Sequence, residues 1–329
     1  MSNALYPLKF EPILMERLWG GNKLQTELNK PLNGRSDIGE SWELSGVEGH
    51  VSVVSNGFLK GNTLSELIEI YMGDLVGERV FQQFGHEFPL LIKFIDARED
   101  LSIQVHPDDE LAQKRHQSFG KTEMWYVMQA EKEAKLISGF KGSVTPEKYI
   151  KSVENNTLES LLANHSVKPG DVFFIPAGRV HAIGAGILLA EIQQTSDVTY
   201  RIYDFGRLDV NGNGRELHTR QALDAIDFKT YSDYKTPYTA AVNEPCEVVT
   251  SPYFKTGLLD LNKQVVRDYY SLDSFVILIC TEGSAKIQYG DNGLEEMVKG
   301  DTILLPADLK QVTFIPQPSV KLLEVYMPL

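Results

Sequence analysis

The sequence predicts a mainly β fold made of two β-barrels, with a few helices between the strands. Three features favour this fold: short runs of β-branched and aromatic residues recur along the chain, turn residues separate them, and one strand–turn unit occurs twice. The 26 glycines and 15 prolines are scattered through the 329 residues and do not cluster in linkers. A hydrophobic content of 42% is enough to bury two cores of ordinary size.

The predicted strands are short and lie between turn residues. Their side chains are mostly Val, Ile, Leu, Phe and Tyr, which suit a pleated and half-buried surface. The runs with this composition are residues 51–54, 90–95, 124–128, 172–175, 187–192, 275–279, 302–305 and 321–326.

Helix signals are few, and they lie between the strand runs. The predicted helices begin at a capping-box pattern at residues 63–66, at the acidic end of residues 108–115, at the Thr-Pro pair 145–146, and at a second capping pattern at 156–159 that precedes the segment ESLLANH. Because helices and strands do not alternate one for one, a parallel βαβ sheet is disfavoured.

An internal repeat supports the two-barrel prediction. Residues 168–181 and 299–311 share a Gly-Asp turn, an apolar strand and a Pro-Ala turn in the same register. A second ungapped alignment matches residues 125–136 with 276–287. Two copies of one β unit indicate duplicated barrels. We therefore expect an N-terminal barrel with helical insertions over residues 1–235 and a C-terminal barrel over 236–329.

The register of the repeat predicts that only one copy carries metal-binding groups. Glu123 falls opposite Ser274, and His181 falls opposite Gln311. The first copy therefore has a carboxylate and an imidazole where the second has neither. We expect chemistry in the first barrel and a structural or regulatory role for the second.

Four side chains of the first copy form a candidate metal site. Gln104 and His106 lie two apart on a predicted strand, so they point to the same face. Glu123 begins the next strand run, and His181 follows the Pro-Ala turn of a third. One amide oxygen, two imidazoles and one carboxylate suit Zn²⁺ or another borderline divalent metal. An open coordination position would let the bound metal act as a Lewis acid.

The other histidines are expected to be surface or satisfied core residues: His50, His86, His116, His165 and His218.

Composition excludes several classes of function. A formal net charge of -13 argues against nucleic-acid binding, which needs a basic face, and an anionic ligand would need local clusters of Lys and Arg. No apolar run reaches the ~20 residues of a membrane span, and the N-terminus does not resemble a secretory signal. Two cysteines form neither a disulfide framework nor a zinc knuckle. A cytoplasmic location is the default expectation.

The chain resembles a known family in several motifs, from about residue 10 to the C-terminus. It is similar to the short bacterial form of type I mannose-6-phosphate isomerase. That family has a double-cupin fold of two jelly-roll barrels. The resemblance implies one Zn²⁺ per chain, bound by Gln104, His106, Glu123 and His181. The segments that carry it are LWGGNK (18–23), IGESWEL (38–44), LSIQVHPDD (101–109), KTEMWY (121–126), PAGRVHA (176–182) and EIQQTSDVTYR (191–201).

The resemblance also implies a reaction and a small-molecule partner. The family interconverts mannose 6-phosphate and fructose 6-phosphate through an enediol(ate), so a sugar phosphate is the expected ligand. Arg201 is expected to stabilise the enediolate or to anchor the substrate, and Ser102 to help bind the phosphate. The full set of expected catalytic residues is Arg201, Asp197, Glu191 and Lys121, and the expected substrate-binding residues are Lys93 and Ser102.

Other functions stay open at this point. The chain can be an isomerase for another sugar phosphate, because the shape of the pocket decides the sugar. A cupin oxygenase usually has a histidine where Gln104 stands, which argues against redox iron. A non-catalytic sugar-binding cupin predicts lost metal ligands or a lost Arg201, and all are present. The expected assembly is a monomer or a weak homo-oligomer.

Overall fold

A computed structural model describes residues 5–208 and 212–328. The predicted mainly β architecture is confirmed, because antiparallel strands in three sheets make up most of the regular structure. The helices are α1 (Lys23–Thr26), α2 (Leu64–Val76), α3 (Glu78–Phe84), α4 (Asp109–His116), α5 (Pro146–Glu154) and α6 (Thr219–Ala225), with a 3-10 turn at Leu158–Leu161. No helix in the described ranges is both long and apolar enough to cross a membrane.

Two of the sheets come from the N-terminal part of the chain. The six-stranded sheet has the order β2-β3-β4-β11-β6-β9, and the five-stranded sheet has the order β12-β5-β10-β7-β8. Their strands are β2 (Ile13–Gly21), β3 (Ile38–Leu44), β4 (Leu90–Ala97), β5 (Ile103–Val105), β6 (Glu123–Ala130), β7 (Lys135–Phe140), β8 (Leu162–Ser166), β9 (Val172–Ile175), β10 (His181–Ile183), β11 (Ile187–Gln194) and β12 (Tyr200–Tyr203). Both sheets contribute to one core, for example Trp125 and Leu189 from one and Leu136 and Ile183 from the other.

The third sheet has eight strands and comes mostly from the C-terminal part. Its main path is β1-β18-β16-β19-β14-β13, with β15 and β17 at its sides. The strands are β1 (Leu8–Lys9), β13 (Pro245–Thr250), β14 (Lys255–Leu261), β15 (Val265–Asp268), β16 (Val276–Tyr289), β17 (Gly293–Val298), β18 (Thr302–Leu305) and β19 (Gln311–Tyr326). Strand β1 lies near the N-terminus, yet it pairs with β18 of this mostly C-terminal sheet. The division into two domains at residue 235 stays a prediction.

The six-stranded sheet is buried on both faces. All eight residues of β11 are buried, including the polar Glu191, Gln193 and Gln194, so both faces of this strand are covered by protein. One face packs on the core between the N-terminal sheets, and the other contributes Phe94, Ala190 and Ile192 to a larger core. That core also contains Leu258 and Leu323 of the third sheet. The two barrels therefore share apolar contacts across their interface.

The repeat is present in the structure, but one of its two alignments was wrong. Strands β9 and β18 match in length and position, and a glycine with positive φ precedes each, Gly170 at 86° and Gly300 at 94°. Since Trp125 pairs with Phe173 and Leu278 with Ile303, the counterpart of Trp125 is Leu278. The second alignment was therefore two residues out of register at Trp125, and the bulges of β16 at Cys280–Glu282 and Gly283–Ala285 are irregularities that an ungapped comparison cannot follow.

The corrected register identifies the counterparts of two acidic residues, Glu123 and Glu191. Val276, and not Ser274, corresponds to Glu123. The second copy still lacks a metal-binding group there. Glu324 on β19 corresponds to Glu191 on β11, because each pairs with the matching residue of its barrel. Glu324 is buried and accepts hydrogen bonds from Arg267 Nη2 at 2.6 Å, Arg267 Nε at 3.1 Å and Tyr269 Oη at 2.6 Å.

Three of the four predicted helices are confirmed. Helix α2 begins at a complete capping box, and Asp108 and Thr145 cap the starts of α4 and α5. The fourth prediction was wrong, because residues 158–166 form a short 3-10 turn followed by β8. Thr157 makes no capping hydrogen bond, and pairing with β7 decides the conformation instead. Residues 51–54, predicted as a strand, form only isolated bridges.

A loop of the C-terminal barrel binds the start of α3. The Asp273 carboxylate accepts hydrogen bonds from the backbone N–H groups of Glu78 at 2.8 Å and Arg79 at 3.1 Å. Gly77, at the junction of α2 and α3, has φ 99°, and a Cβ there would lie 2.5 Å from the carbonyl oxygen of Asp273. The helical segment is thus fixed against the second barrel by close backbone contacts.

Candidate metal centre and adjoining cavity

Three of the four predicted ligands meet inside the first barrel. One ligand atom from each of His106, Glu123 and His181 lies within 4.8 Å of the others, and all three side chains are buried. His181 Nε2 is 3.4 Å from Glu123 Oε1, and His106 Nε2 is 3.6 Å from Glu123 Oε2. Glu123 opens β6 and His181 opens β10, while His106 follows β5, so both sheets of the barrel supply ligands.

The two imidazoles are held in the form that binds metal. His106 Nδ1 lies 2.9 Å from the carbonyl oxygen of Val198, and His181 Nδ1 lies 2.8 Å from that of Arg179. Each ring donates its Nδ1–H to a carbonyl, which leaves the Nε2 lone pair towards Glu123. Burial lowers the pKa of His106 well below its usual value and that of His181 to about 3. Both rings are therefore neutral at pH 7.

Glu123 lacks the partners that a buried carboxylate requires. Neither of its oxygens accepts a hydrogen bond within the described residues, although the Lys121 ammonium lies 3.0 Å from Oε2 as an ion pair. Burial, and then the nearby Glu191 charge, raise its pKa to about 7. A buried acceptor without donors costs free energy, and a cation between the three side chains would remove that cost. The donor set therefore fits a divalent metal.

Gln104 lies beside this triad. It pairs with His181 across β5 and β10, and its Nε2 is 3.3 Å from His181 Nε2. The Ser102 hydroxyl donates to Gln104 Oε1 at 3.4 Å. Since the oxygen and nitrogen of an amide are assigned from the hydrogen-bond network, a flip would turn Oε1 towards His181. The role of Gln104 as fourth ligand stays a prediction.

A cavity of about 400 Å³ adjoins the triad. It brings together every side chain that the sequence nominated for catalysis or substrate binding. The nominated residues in its wall are Lys93, Ser102, Gln104, Lys121, Glu191, Asp197 and Arg201. Strands β4, β5, β6, β11 and β12 position them, with Asp197 on the exposed segment before β12.

The charges near the triad are paired. Lys93 Nζ lies 3.3 Å from Glu191 Oε1 and 3.9 Å from Glu40 Oε2. Arg17 binds both oxygens of Glu40, at 2.8 and 3.1 Å, and Trp125 donates its indole N–H to Glu191 Oε2 at 2.9 Å. Burial alone would raise the pKa of Glu40, but Lys93 and Arg17 outweigh it and lower that pKa to about 2. This part of the cavity therefore carries little net charge.

Sequence reasoning missed part of the cavity wall. Glu40 and Trp42 lie in it, and their alternation along a strand run was an available signal that they share a face. Arg215 and His218 also lie in the wall, in a segment without periodic pattern. His218 was expected to be a surface or satisfied core residue, and it is partly buried with a satisfied ring nitrogen. Its Nδ1 accepts a hydrogen bond from the backbone N–H of Arg201 at 3.2 Å.

Sequence comparisons find similar proteins over nearly the whole chain. The model of the type I phosphomannose isomerase catalytic domain matches residues 8–142. Mannose-6-phosphate isomerase ManA of Bacillus subtilis is 36% identical over 309 residues, which cover 92% of this chain and 94% of that protein. Mannose-6-phosphate isomerase of Streptococcus mutans is 34% identical over 316 residues, covering 94% and 95%.

Structural comparisons agree with the two-barrel fold. The crystal structure of the mannose 6-phosphate isomerase from Bacillus subtilis superposes with a TM-score of 0.87 and 32% identity, covering 98% of this chain and 99% of that one. A zinc-bound mannose 6-phosphate isomerase has the same fold, with a TM-score of 0.80 at 16% identity and coverage of 99% and 100%. The double-cupin architecture that the resemblance implied is confirmed, and it agrees with the two barrels expected from the repeat.

Proposed function

The chain belongs to the type I phosphomannose isomerase family, and we propose that it is a zinc-dependent aldose–ketose isomerase that interconverts mannose 6-phosphate and fructose 6-phosphate. The observation that carries this proposal is the pair of neutral imidazoles around a buried carboxylate that accepts no hydrogen bond within the described residues, next to a cavity lined by Lys and Arg. That combination suits a substrate with a polarisable carbonyl at one end and an anion at the other.

We propose His106, Glu123 and His181 as zinc ligands, with Gln104 as the fourth. Nitrogen and oxygen donors without thiolate are the usual set of a catalytic zinc site. When bound, the metal would polarise the oxygens of the substrate as a Lewis acid. The carbonyls of Val198 and Arg179 keep both imidazoles oriented for this role.

The proton must move between two neighbouring carbons, and two carboxylates are placed for this step. Glu191 is fixed by Trp125 and Lys93, so its position relative to a bound sugar is well defined. Asp197 is exposed at the cavity wall and can exchange protons with solvent. Comparing Glu191→Gln with Asp197→Asn for incorporation of solvent deuterium into the product identifies the base, since its loss stops exchange while substrate still binds.

Two further side chains would act on the oxygens of the substrate. The Lys121 ammonium, held 3.0 Å from Glu123 Oε2, can donate to an oxygen that develops negative charge. The guanidinium of Arg201 cannot act as a base, but it can stabilise an enediolate or bind an anionic group. Lys93 and Ser102 are proposed as substrate contacts on the same wall.

Elemental analysis of the purified protein, combined with a coupled assay on mannose 6-phosphate, tests the proposal. We expect about one zinc per chain, loss of activity on chelation and recovery on adding zinc. Full activity in the chelated protein would contradict the metal assignment. Bound zinc without activity on mannose 6-phosphate would move the reaction to another sugar phosphate, which the same assay with other aldose phosphates would identify.

A further inference from the structure

We propose that Arg215, positioned by Asp204, binds the phosphate group of the substrate together with Arg201 and so determines the preference for phosphorylated sugars. This inference rests on the proposed function, since it names the part of the same cavity that receives the anion. It places the phosphate at the part of the cavity wall formed by Arg201, Arg215 and His218.

The backbone brings the two arginines side by side. The segment that leads to α6 runs back along β12, where the N–H of His218 donates to the carbonyl of Arg201 at 2.7 Å. In return, the N–H of Arg201 donates to His218 Nδ1 at 3.2 Å. Arg201 Nη1 also donates to the carbonyl of Glu216 at 3.1 Å. These contacts hold Arg215 next to Arg201, and both side chains line the cavity.

Asp204 fixes the direction of the Arg215 guanidinium. Arg215 Nε is 2.7 Å from Asp204 Oδ2, and Arg215 Nη2 is 2.5 Å from Asp204 Oδ1. The same carboxylate also accepts from Arg207 Nη2 at 2.5 Å. Asp204 is 5% exposed, so this two-sided pair is shielded from water. A guanidinium held in this way is preorganised for a second anion.

The described residues leave positive charge uncompensated at this end of the cavity. Arg201, Arg207 and Arg215 face the single buried carboxylate of Asp204, and the side chain of Glu216 is 80% exposed. The buried Nε of Arg201 has no hydrogen-bond partner within the described residues. Burial, followed by the like charge of Arg215, lowers the pKa of Arg201. A phosphate monoester carries about 1.5 to 2 negative charges. It would neutralise the positive charge and accept a hydrogen bond from Arg201 Nε.

The other end of the cavity does not offer a comparable anion site. Its cations are each paired with a carboxylate, and it adjoins the triad where the reacting carbonyl must lie. The pairs are Arg17–Glu40, Lys93–Glu191 and Lys121–Glu123. A substrate with its carbonyl at the triad and its phosphate at Arg215 would span the cavity. The expected phosphate contact of Ser102 stays a prediction.

Arg207 provides a matched control for Arg215. Both arginines bind Asp204, but only Arg215 lines the cavity. In the zinc-loaded protein, Arg215→Gln should raise KM for mannose 6-phosphate and the inhibition constant of inorganic phosphate about 10- to 100-fold. Arg207→Gln should change both constants little.

Further variants separate recognition from folding. Arg215→Lys keeps a charge but loses the fork, so it should recover part of the phosphate affinity. Asp204→Asn should raise KM with little effect on kcat, as expected of a positioning residue. Equal effects of Arg215→Gln and Arg207→Gln on phosphate binding, or none, would overturn the proposal. If the wild type binds phosphate through Arg215 but does not isomerise mannose 6-phosphate, the anion site stands and the proposed function fails.

Discussion

The surroundings of Glu123 bear on whether the first barrel can bind a cation. Glu123 is buried, and neither of its oxygens accepts a hydrogen bond within the described residues, although the Lys121 ammonium lies 3.0 Å from Oε2. Two imidazoles direct their lone pairs at it. An unsatisfied buried acceptor costs about 1–3 kcal/mol, so this arrangement destabilises a folded chain that binds no cation. The donor set therefore fits a divalent cation.

Substituting Glu123 separates this centre from its counterpart in the second barrel. Glu123→Gln keeps the shape of the side chain but removes its charge, so we expect most of the zinc to be lost and isomerisation to be abolished. Elemental analysis on the purified variant measures this. Gln311→Ala, at the position that corresponds to His181, is the control and should keep its zinc. A full zinc complement in Glu123→Gln, or zinc lost from Gln311→Ala, would refute the single-site assignment.

Residues that lie on a regular strand pattern or in the repeated turn could be predicted from the sequence. Gln104 and His106 lie two apart on a strand, and His181 follows a turn that recurs in the chain, so the sequence alone predicted that they belong to one site. Arg215 and His218 could not be found in this way. Their segment has no period, and only its hydrogen bonds to Arg201 bring it to the cavity.

At the level of elements, β3 contains a carboxylate whose charge stabilises the folded chain. The pKa of Glu40 is about 2, below the usual 4.5, because Lys93 and Arg17 outweigh burial. A depressed pKa contributes stability above pH 4.5 that is lost as the pH falls towards 2. The contribution is on the order of 3 kcal/mol. The unfolding free energies of wild type and Glu40→Gln, measured with denaturant, should differ most above pH 4.5 and converge as the pH falls to about 2; a difference independent of pH would disprove the charge effect.

The junction between α2 and α3 depends on a glycine. An alanine at Gly77 would have an unfavourable positive φ and a Cβ 2.5 Å from the Asp273 carbonyl oxygen. Gly61 also has a positive φ, 91°, but open space around it, which makes Gly61→Ala the matched control. We expect both variants to lose roughly 1–3 kcal/mol from backbone strain. Gly77→Ala should lose a further 1–3 kcal/mol or so from the collision. Equal melting temperatures would show that the loop can move aside.

The helices that the sequence predicted correctly are those whose first turns are capped by side chains close by in the chain. The capping box of α2 binds its own first turn, and α4 and α5 also have side-chain caps. The segment 158–166 has a similar sequence pattern, yet it becomes a turn and a strand. Its partner, β7, lies more than twenty residues away in the chain, so no local pattern could reveal the pairing.

At the scale of the molecule, the shared core predicts that both barrels unfold together. All three tryptophans, Trp19, Trp42 and Trp125, lie in the N-terminal sheets. Cys280 lies buried in β16 of the other barrel, where burial raises the pKa of its thiol to about 12. In a Cys246→Ser background, tryptophan fluorescence and thiol labelling should therefore report one denaturant midpoint. Two separate midpoints would show that each barrel is stable alone.

The interface between the barrels has a consequence for the history of the chain. Equivalent residues of the two copies meet there, since Phe94 corresponds to Leu258 and Ala190 to Leu323, and all four share one core. An ancestor with a single barrel would have exposed this apolar face, and two such molecules would bury it by pairing about a two-fold axis. Joining two such copies in one chain would keep this face buried, and the second copy would cover the first with apolar side chains alone.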